Sequence, residues 1–165
     1  MIYTATIATP LGPMTAAADK DALTGLWFIG QKYYPACTAD WHTEPEQPLF
    51  RELQAQLNGY FAGRDTSFSL PLAPRGSAFQ QAVWDILLSI PYGQTGTYGE
   101  IAQQIARARS LPSMSAQAVG GAVGHNPISI LVPCHRVVGS DKSLTGYAGG
   151  LDKKAALLRL EGIRE

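Results

Sequence analysis

The feature that most constrains this chain is the segment 130–138, in which apolar residues enclose Cys134, His135 and Arg136. Apolar flanks predict burial, and burying three consecutive polar side chains costs free energy unless each finds a partner. A buried cysteine by itself is usually structural. Beside a base and a cation we interpret Cys134 as a reactive nucleophile instead, because such neighbours lower the pKa of a thiol from its usual value of about 8.5.

The same residues constrain the backbone of this segment. Neighbouring side chains of a regular strand point to opposite faces, so Cys134 and His135 could not meet in an unbroken strand. Pro133 predicts a break, because proline belongs at strand ends, edges and bends. We therefore expect His135 to act from a turn, or through a bridging water, and to need a carboxylate from elsewhere in the chain.

The cysteines and histidines argue against other kinds of site. Cys37 and Cys134 are too few for a disulfide framework, and we assign Cys37 a structural or surface role. His42, His125 and His135 lack the spacing of zinc ligands. We expect no metal and no cofactor.

Hydropathy and charge indicate the compartment and the partner. The N-terminus lacks a basic stretch followed by an apolar run, and no apolar segment approaches the ~20 residues that span a membrane. We expect a cytoplasmic protein with no membrane partner. Residues 101–140 contain three arginines and no acidic residue, a mild positive charge that is compatible with a polyanion.

The first half predicts a small antiparallel sheet with one helix. Short apolar runs between turn residues predict three strands. These strands lie at residues 2–8, 14–18 and 23–29. Apolar residues at helical spacing predict a helix over Pro48–Phe61, whereas residues 30–45 show no regular pattern. A Pro- and Gly-rich linker follows at 62–76, and we expect residues 1–76 to form an α/β supporting domain.

The second half predicts helices that begin after capping residues. The side-chain oxygens of Ser77, Thr97 and Ser115 can accept the first free amides of three helices. The expected helices run from Ser77 to before Pro91, over residues 98–106, over Ala116–Gly124 and over residues 152–161. Helix, loop 107–115, helix, then an extended segment and hairpin is the order of a winged helix-turn-helix. We expect residues 77–165 to form this mainly α DNA-binding domain.

The helix at Ala116–Gly124 is rich in glycine, which destabilises it. Each glycine costs about 1 kcal/mol relative to alanine, so three such positions forgo roughly 2–3 kcal/mol. A smooth helix surface suits close packing against a partner helix, and it also suits entry into a nucleic-acid groove. If it enters a groove, a nucleophile beside this helix can reach a base only after that base leaves the stack.

Ordered motifs extend over most of residues 77–163. They are Phe79-Gln80 with Val83-Trp84, Ile90-Pro91-Tyr92-Gly93, Tyr98 with Ile101-Ala102, Asn126-Pro127-Ile128, Val132-Pro133-Cys134-His135-Arg136-Val137, Gly146-Tyr147-Ala148-Gly149-Gly150 and Leu157-Leu158-Arg159-Leu160-Glu161-Gly162. In this order they resemble the O6-alkylguanine-DNA alkyltransferase family, the methylated-DNA–protein-cysteine methyltransferases. The first half of the chain is only loosely similar to that family.

The resemblance implies a direct-reversal DNA repair reaction. The Cys134 thiolate would take the alkyl group from O6 of a flipped guanine, and by extension from O4 of thymine, leaving a stable S-alkylcysteine without turnover. His135 would be the base, acting through a water, and Glu161 would orient it. The implied partner is double-stranded DNA containing O6-alkylguanine, bound by a monomer that can bind cooperatively.

The resemblance also implies contacts with the substrate. Tyr98 would hydrogen-bond the leaving guanine as it gains negative charge. Tyr147 would form a wall of the base pocket, and the Ala148 amide would donate to the guanine O6. Asn126 would link the recognition helix to the site, and we expect Arg136 to serve as a structural ion pair or hydrogen-bonding post.

One position departs from the family pattern. Relatives usually carry arginine where this chain has Gln117, to fill the gap left by the flipped base. Gln117 can still hydrogen-bond the orphaned cytosine but brings no charge. The loop 107–115 is longer than usual, and Arg107 or Arg109 is an alternative source of that charge. We therefore expect DNA binding that is weaker or more salt-sensitive than in a relative with the arginine.

Three other functions fit parts of the sequence. A non-catalytic protein that binds O6-alkylguanine would characteristically lack the acceptor cysteine, whereas Cys134 is present. A thiol hydrolase using Cys134 and His135 leaves the glycine-rich helix unexplained. A transcription regulator leaves the buried cysteine, histidine and arginine unexplained.

Overall fold

A computed structural model describes residues 2–35, 41–141 and 143–163. Cys37 therefore lies outside the described residues. The chain divides into two compact units. The first contains residues up to 75 together with 127–129, and the second contains residues 76–126 together with those from 130 onward.

A four-stranded sheet forms the centre of the first unit. Its strands are β1 (Tyr3–Ile7), β2 (Met14–Ala18), β3 (Leu23–Phe28) and β4 (His42–Thr43), in the order β3-β2-β1-β4. The antiparallel pairing of β1 with β2 and of β2 with β3 confirms the three predicted strands. The prediction of irregular structure for residues 30–45 was wrong at β4, which pairs in parallel with β1. Two residues are too few to show a period in the sequence.

The helix α1 (Pro48–Phe61) has the predicted bounds and covers this sheet. Proline suits its first turn, because the amide that proline lacks would have no partner there. Phe50, Leu53, Leu57 and Tyr60 are buried on one face. The amide group of Gln54 also holds the backbone of Ala8, accepting from its N–H at 3.0 Å and donating to its carbonyl at 2.9 Å.

Two further segments join the edge strand β3. The N–H of Leu23 donates to the Pro71 carbonyl, and the N–H of Ala73 donates to the Leu23 carbonyl. The segment predicted as a linker is therefore partly fixed to the sheet. Residues 127–129 are fixed in the same way, since Leu26 donates to Pro127 and accepts from Ser129. In the sequence, Asn126 directly precedes this hydrogen-bonded stretch and the segment 130–138, which contains Cys134, directly follows it.

The second unit is built from helices that begin where the capping residues predict. They are α2 (Ala78–Leu88), α3 (Tyr98–Ala108), α4 (Ala116–Gly124) and α5 (Leu151–Leu160). Ser77 and Thr97 each form a reciprocal capping box with the glutamine or glutamate three residues later. Ser115 accepts the amide of Ala118 at 3.2 Å. The prediction for α3 was two residues too short.

The helices α2, α3 and α4 pack around a shared apolar core. The indole of Trp84 is buried and donates to the carbonyl of Ala122 at 2.9 Å, which joins α2 to α4. Ile101 and Ile105 of α3 and Val119 of α4 are also buried. This packing holds the start of α3 and the thiol segment in one unit.

A pair of two-residue strands completes the second unit. These strands, β5 (Gly96–Thr97) and β6 (Val137–Val138), pair in parallel. A wing would be an antiparallel hairpin, whereas among the described residues the strand that directly follows Cys134 pairs in parallel with β5. The hairpin of a wing therefore stays a prediction. The pairing places the residue that caps α3 beside the strand that follows the thiol.

Candidate active site

The cysteine segment is a series of turns rather than a strand. Pro133 has the φ and ψ (−81°, 64°) of an inverse γ-turn, and the N–H of Cys134 donates to the Val132 carbonyl at 2.8 Å. One turn of 3₁₀-helix follows at Cys134–Arg136. The extended segment expected after the helix pair is therefore absent at Cys134, and the break at Pro133 was predicted correctly. In a 3₁₀-helix side chains three positions apart eclipse, so three successive side chains point in different directions.

Backbone strain lies close to the thiol. Ile130 is buried and has a φ of 72°, in the left-handed region that β-branched residues rarely adopt. Such outliers persist only where the surroundings fix them, and they cluster at functional sites. Asn126 is one of the groups that fix this turn, because its buried amide donates to the Val132 carbonyl at 2.8 Å.

The thiol of Cys134 is buried, and its burial decides its ionisation. Burial raises the pKa of Cys134 above its ordinary value, while the hydrogen bond from Asn126 and the charge of Lys154 act in the opposite direction. Neighbours of the thiol do act to lower this pKa, as expected, but burial outweighs them and the net shift is upward. The resting group is a protonated thiol, so an attack by this sulfur needs a base.

A buried base lies at the next position. His135 is completely buried, and its Nε2 lies 2.7 Å from Oε2 of Glu161. Burial lowers the pKa of His135 below its ordinary value, and the interaction with Glu161 only partly offsets this effect. The imidazole is therefore neutral near pH 7.

The same carboxylate binds the arginine. Arg136 donates from Nε to Oε1 of Glu161 at 2.8 Å and from Nη2 to Oε2 at 3.0 Å. Its Nη1 donates to the carbonyl of Ile90 at 2.8 Å. A carboxylate that accepts a bidentate guanidinium is an acceptor toward the imidazole as well, so Nε2 of His135 carries the proton. This leaves Nδ1 as the acceptor of the ring.

The second ring nitrogen of His135 is an unpaired acceptor among the described residues. Nδ1 of His135 is buried and has no hydrogen-bond partner among the described residues. Buried polar atoms are nearly always paired, with protein or with water, so this acceptor indicates a place for a donor. The adjacent thiol, directly or through one water, is a donor of the required kind.

Lys154 is a further member of the site that was not predicted from the sequence. It is completely buried, and its Nζ donates to the carbonyls of Val137 at 2.5 Å, Thr145 at 2.9 Å and Gly146 at 3.4 Å. Burial lowers the pKa of Lys154 to about 8, and a negative charge at Cys134 acts in the opposite direction. The signal was in the helical spacing, because Lys154 shares the buried face of α5 with Leu157 and Leu158 and with Glu161, which caps the C-terminal end of the helix.

The residues expected to contact the substrate lie around this network. Tyr98, at the start of α3, is half-buried, and Oγ1 of Thr145 donates to its Oη at 3.1 Å. Burial raises the pKa of Tyr98, and a charge on Cys134 acts in the same direction. Tyr147 and Ala148 follow Thr145 in the loop before α5 and are half-buried.

The residues expected at the DNA gap lie in α4 and at the end of α3. Gln117 is exposed in the first turn of α4. Arg107 lines a cleft of about 420 Å³ between α3 and the loop that leads to α4. The guanidinium of Arg109 lies over the ring of Phe79, 5.5 Å from its centroid. Of the two arginines, Arg107 is the better placed to reach a ligand.

Known families account for both halves of the chain. Residues 2–74 match the model of the 6-O-methylguanine DNA methyltransferase ribonuclease-like domain, and residues 78–163 match that of the 6-O-methylguanine DNA methyltransferase DNA binding domain. The chain belongs to this family. The resemblance inferred from the sequence motifs is thus confirmed, as is an architecture of two domains.

Individual members of the 6-O-methylguanine DNA methyltransferase family are similar over nearly their whole length. The methylated-DNA–protein-cysteine methyltransferase of Mycobacterium tuberculosis is 49% identical over 164 residues, 99% of this chain and 94% of the relative. That of Methanosarcina acetivorans is 45% identical over 161 residues, 98% of this chain and 99% of the relative. The crystal structure of Mycobacterium tuberculosis OGT in complex with DNA has a TM-score of 0.86 at 47% identity, covering 96% of this chain and 92% of that chain.

Metal clusters and membrane-spanning helices are absent from residues 2–35, 41–141 and 143–163. No group of three or more His, Cys, Asp or Glu side chains there could hold a metal ion. No helix there combines the length and the apolar character that crossing a bilayer requires.

Proposed function

We propose that this protein repairs double-stranded DNA by moving an alkyl group from O6 of guanine to Cys134. The observation that carries the proposal is the pairing of a buried, protonated thiol with a neutral imidazole whose Nδ1 lacks a partner. Family membership supports the substrate class, since a methylated-DNA–protein-cysteine methyltransferase is 49% identical over 99% of the chain.

The reaction would proceed in one displacement. A water between the thiol and Nδ1 of His135 takes the proton from sulfur as the imidazole accepts one. The sulfur forms a bond to the alkyl carbon, the bond from that carbon to O6 breaks, and its electron pair passes to the guanine. Glu161 holds the imidazole in the tautomer that accepts at Nδ1 and stabilises the imidazolium that forms. The product is a thioether, and no step restores the thiol, so each chain reacts once.

The substrate has to leave the base stack to reach a buried sulfur. We assign Tyr98 as donor to the leaving guanine, Tyr147 as a wall of the base pocket and the Ala148 amide as donor to O6. Their location supports this, because Tyr98 is linked to the loop that carries the other two. O4 of alkylated thymine, also an exocyclic oxygen that bears an alkyl group, fits the same chemistry.

DNA would be held by the second domain, residues 77–165, acting as a winged helix-turn-helix with α4 in a groove. Support comes from the exposed first turn of α4, where Gln117 could enter the gap left by the base. Asn126 joins α4 to the turn that carries the thiol through its bond to Val132. Residues 1–76 act as a support, and one molecule suffices for the reaction.

The test is the mass of the protein after incubation with a duplex that contains O6-methylguanine. We expect a gain of one CH2 unit per chain, located by peptide mapping on Cys134, with release of an unmodified duplex. Cys134→Ser and an unmethylated duplex are the matched controls. Binding of the methylated duplex without a mass gain would contradict the proposal and favour a damage-binding protein, and repeated cleavage of an ester would favour a hydrolase.

A further inference from the structure

Thr145 contacts Tyr98, the residue assigned as donor to the leaving guanine. Thr145 is half-buried in the loop before α5, and its hydroxyl donates to Oη of Tyr98 across 47 positions of sequence. Its backbone is held as well, because its carbonyl accepts from the buried ammonium of Lys154 at 2.9 Å. The side chain of Thr145 is therefore directed at Tyr98 from a fixed backbone.

The direction of this hydrogen bond determines what the phenol can do. A phenol has one proton to donate, and it can also accept. Since Thr145 occupies Tyr98 as an acceptor, the single proton of Tyr98 remains available for another group. If Tyr98 donated to Thr145 instead, its single proton would be used, and the phenol could only accept a hydrogen bond from a ligand.

The surroundings keep the proton on the phenol. Burial raises the pKa of Tyr98 by more than the hydrogen bond from Thr145 lowers it, and negative charge on Cys134 raises it further, so ionisation of the thiol favours the neutral phenol. Cys134 and Tyr98 are thus close enough to influence each other electrostatically. A donor near the reacting sulfur is the kind of group that can stabilise charge developing on a leaving group.

We propose that Thr145 is a positioning residue that orients the Tyr98 hydroxyl as a donor toward the leaving guanine. This inference rests on the proposed function, because it gives Tyr98 the leaving guanine as its acceptor. Thr145 does not touch the reacting atoms. Thr145 acts through Tyr98. The ammonium of Lys154 fixes the backbone of Thr145, because it donates to the carbonyls of Thr145 and Gly146 and to that of Val137 in β6.

The experiment compares two substitutions at one position. Thr145→Val keeps the branched shape and removes the hydroxyl, whereas Thr145→Ser keeps the hydroxyl. The single-turnover rate of methyl transfer is measured with protein in excess over an O6-methylguanine duplex, together with the Kd for that duplex. We expect Thr145→Val to slow transfer about tenfold or more, the size of a hydrogen bond to developing charge, with Kd unchanged. Thr145→Ser should remain within about twofold of the unmodified protein, since it restores that bond.

A double substitution separates positioning from general damage to the loop. In a Tyr98→Phe background the phenol is absent, so adding Thr145→Val should cause no further loss of rate. If Thr145→Val fails to fold, Thr145→Ala is compared with Thr145→Ser by the same measurements. Equal rates for the valine and serine variants, or an unchanged effect of Thr145→Val in the Tyr98→Phe background, would overturn the inference.

The result also separates this inference from the proposed function. If the unmodified protein gains no CH2 unit, the proposed function is wrong and the role of Thr145 is wrong with it. If the unmodified protein reacts and Thr145→Val reacts equally fast, only the role of Thr145 is wrong.

Discussion

A single carboxylate holds two neighbouring side chains of the 3₁₀ turn. Glu161 accepts from the imidazole of His135 and, through both of its oxygens, from the guanidinium of Arg136. The opposite charges of Glu161 and Arg136 cancel, which allows the group to be buried while the imidazole stays neutral. Arg136 therefore acts as the expected ion pair, and it keeps the carboxylate turned toward the histidine.

Glu161→Gln should destabilise the fold by about 3–5 kcal/mol. The change leaves the Arg136 guanidinium buried without its counter-charge, and breaking one side of a buried pair has a cost of that size. Urea-induced unfolding measures the effect. Glu100→Gln is a matched control, because Glu100 is exposed and glutamine can also complete the capping box of α3. A stability of Glu161→Gln within 0.5 kcal/mol of Glu100→Gln would contradict the buried pair.

Lys154 should make stability depend on pH in the alkaline range. Its pKa is about 8 in the folded chain against an ordinary value of 10.5. Between these values the unfolded chain binds more protons, so the free energy of unfolding rises with pH, by up to about 3 kcal/mol. This stabilisation is complete above pH 10.5 and is lost as the pH falls through 8.

Lys154→Met removes the titrating group and serves as the reference. Urea-induced unfolding of both proteins at several pH values between 7.5 and 10.5 gives the difference in stability. We expect the unmodified protein to gain stability relative to Lys154→Met as the pH rises. If the free energies of unfolding of the two proteins changed with pH in parallel, Lys154 would have its ordinary pKa. Its three carbonyl acceptors would then offset the effect of burial.

The regular elements follow from local sequence wherever the signal is local. The helix α1 has the predicted ends because its apolar period and its proline agree, and the starts of α2, α3 and α4 follow from Ser77, Thr97 and Ser115. Two features depend on distant contacts and were not predictable. They are β4, which exists through its pairing with β1, and the turns before Cys134, where apolar residues are buried without forming a strand.

The residues of the candidate site also divide into those that follow from local sequence and those that depend on distant contacts. The adjacency of Cys134 and His135 is a property of the sequence. Their partner Glu161 is 25–26 positions away from the arginine and histidine that bind it, and was assigned only through the family resemblance. Lys154 was missed because a lysine is rarely buried, so its position on the apolar face of α5 was not weighed as a site. The apolar flanks of Cys134 predicted its burial, but the raised pKa of the thiol depends on how burial balances the contacts with Asn126 and Lys154, which only the folded chain shows.

The helix α4 uses glycine where no neighbour requires it. A Cβ at Gly121 would meet no atom within 4 Å, and one at Gly120 would meet the Tyr98 ring at an ordinary 3.8 Å. Close packing against a partner helix therefore does not explain Gly121. Of the two interpretations of this glycine-rich helix, entry into a groove of DNA is the one that fits an open surface.

Gly121→Ala should stabilise the protein by about 1 kcal/mol, because alanine is the better helix former and its methyl group has room. If α4 enters a groove, the same methyl group should weaken binding to duplex DNA. Urea-induced unfolding and a DNA titration measure the two effects. Gln104→Ala, at an exposed position of α3, should change neither. Higher stability with unchanged DNA affinity would argue against α4 as the helix in the groove.

The proposed reaction changes the stability of the protein that performs it. Cys134 is only 6% exposed, and its neighbours are buried as well. Adding a methyl group to a closely packed site usually costs ~1–3 kcal/mol. Repair of one base would therefore leave a chain that is less stable than before.

Complete methylation should lower the free energy of unfolding by about 1–3 kcal/mol. The measurement compares urea-induced unfolding of the protein before and after it reacts with O6-methylguanine duplex, with full conversion verified by mass. Cys134→Ser treated in the same way controls for the effect of the duplex. An unchanged unfolding midpoint in the methylated protein would show that the thiol lies in a looser environment than its burial indicates.

The shared carboxylate also limits how the sequence can change over evolutionary time. Glu161 bonds to His135 and Arg136 at once, so a substitution that suits one of them leaves the other unmatched. A single substitution that replaces Glu161, His135 or Arg136 by a side chain of different charge or hydrogen-bonding capacity would therefore destabilise the protein. Viable routes would need two or three coordinated replacements, so this part of the chain should drift far more slowly than the loops around it.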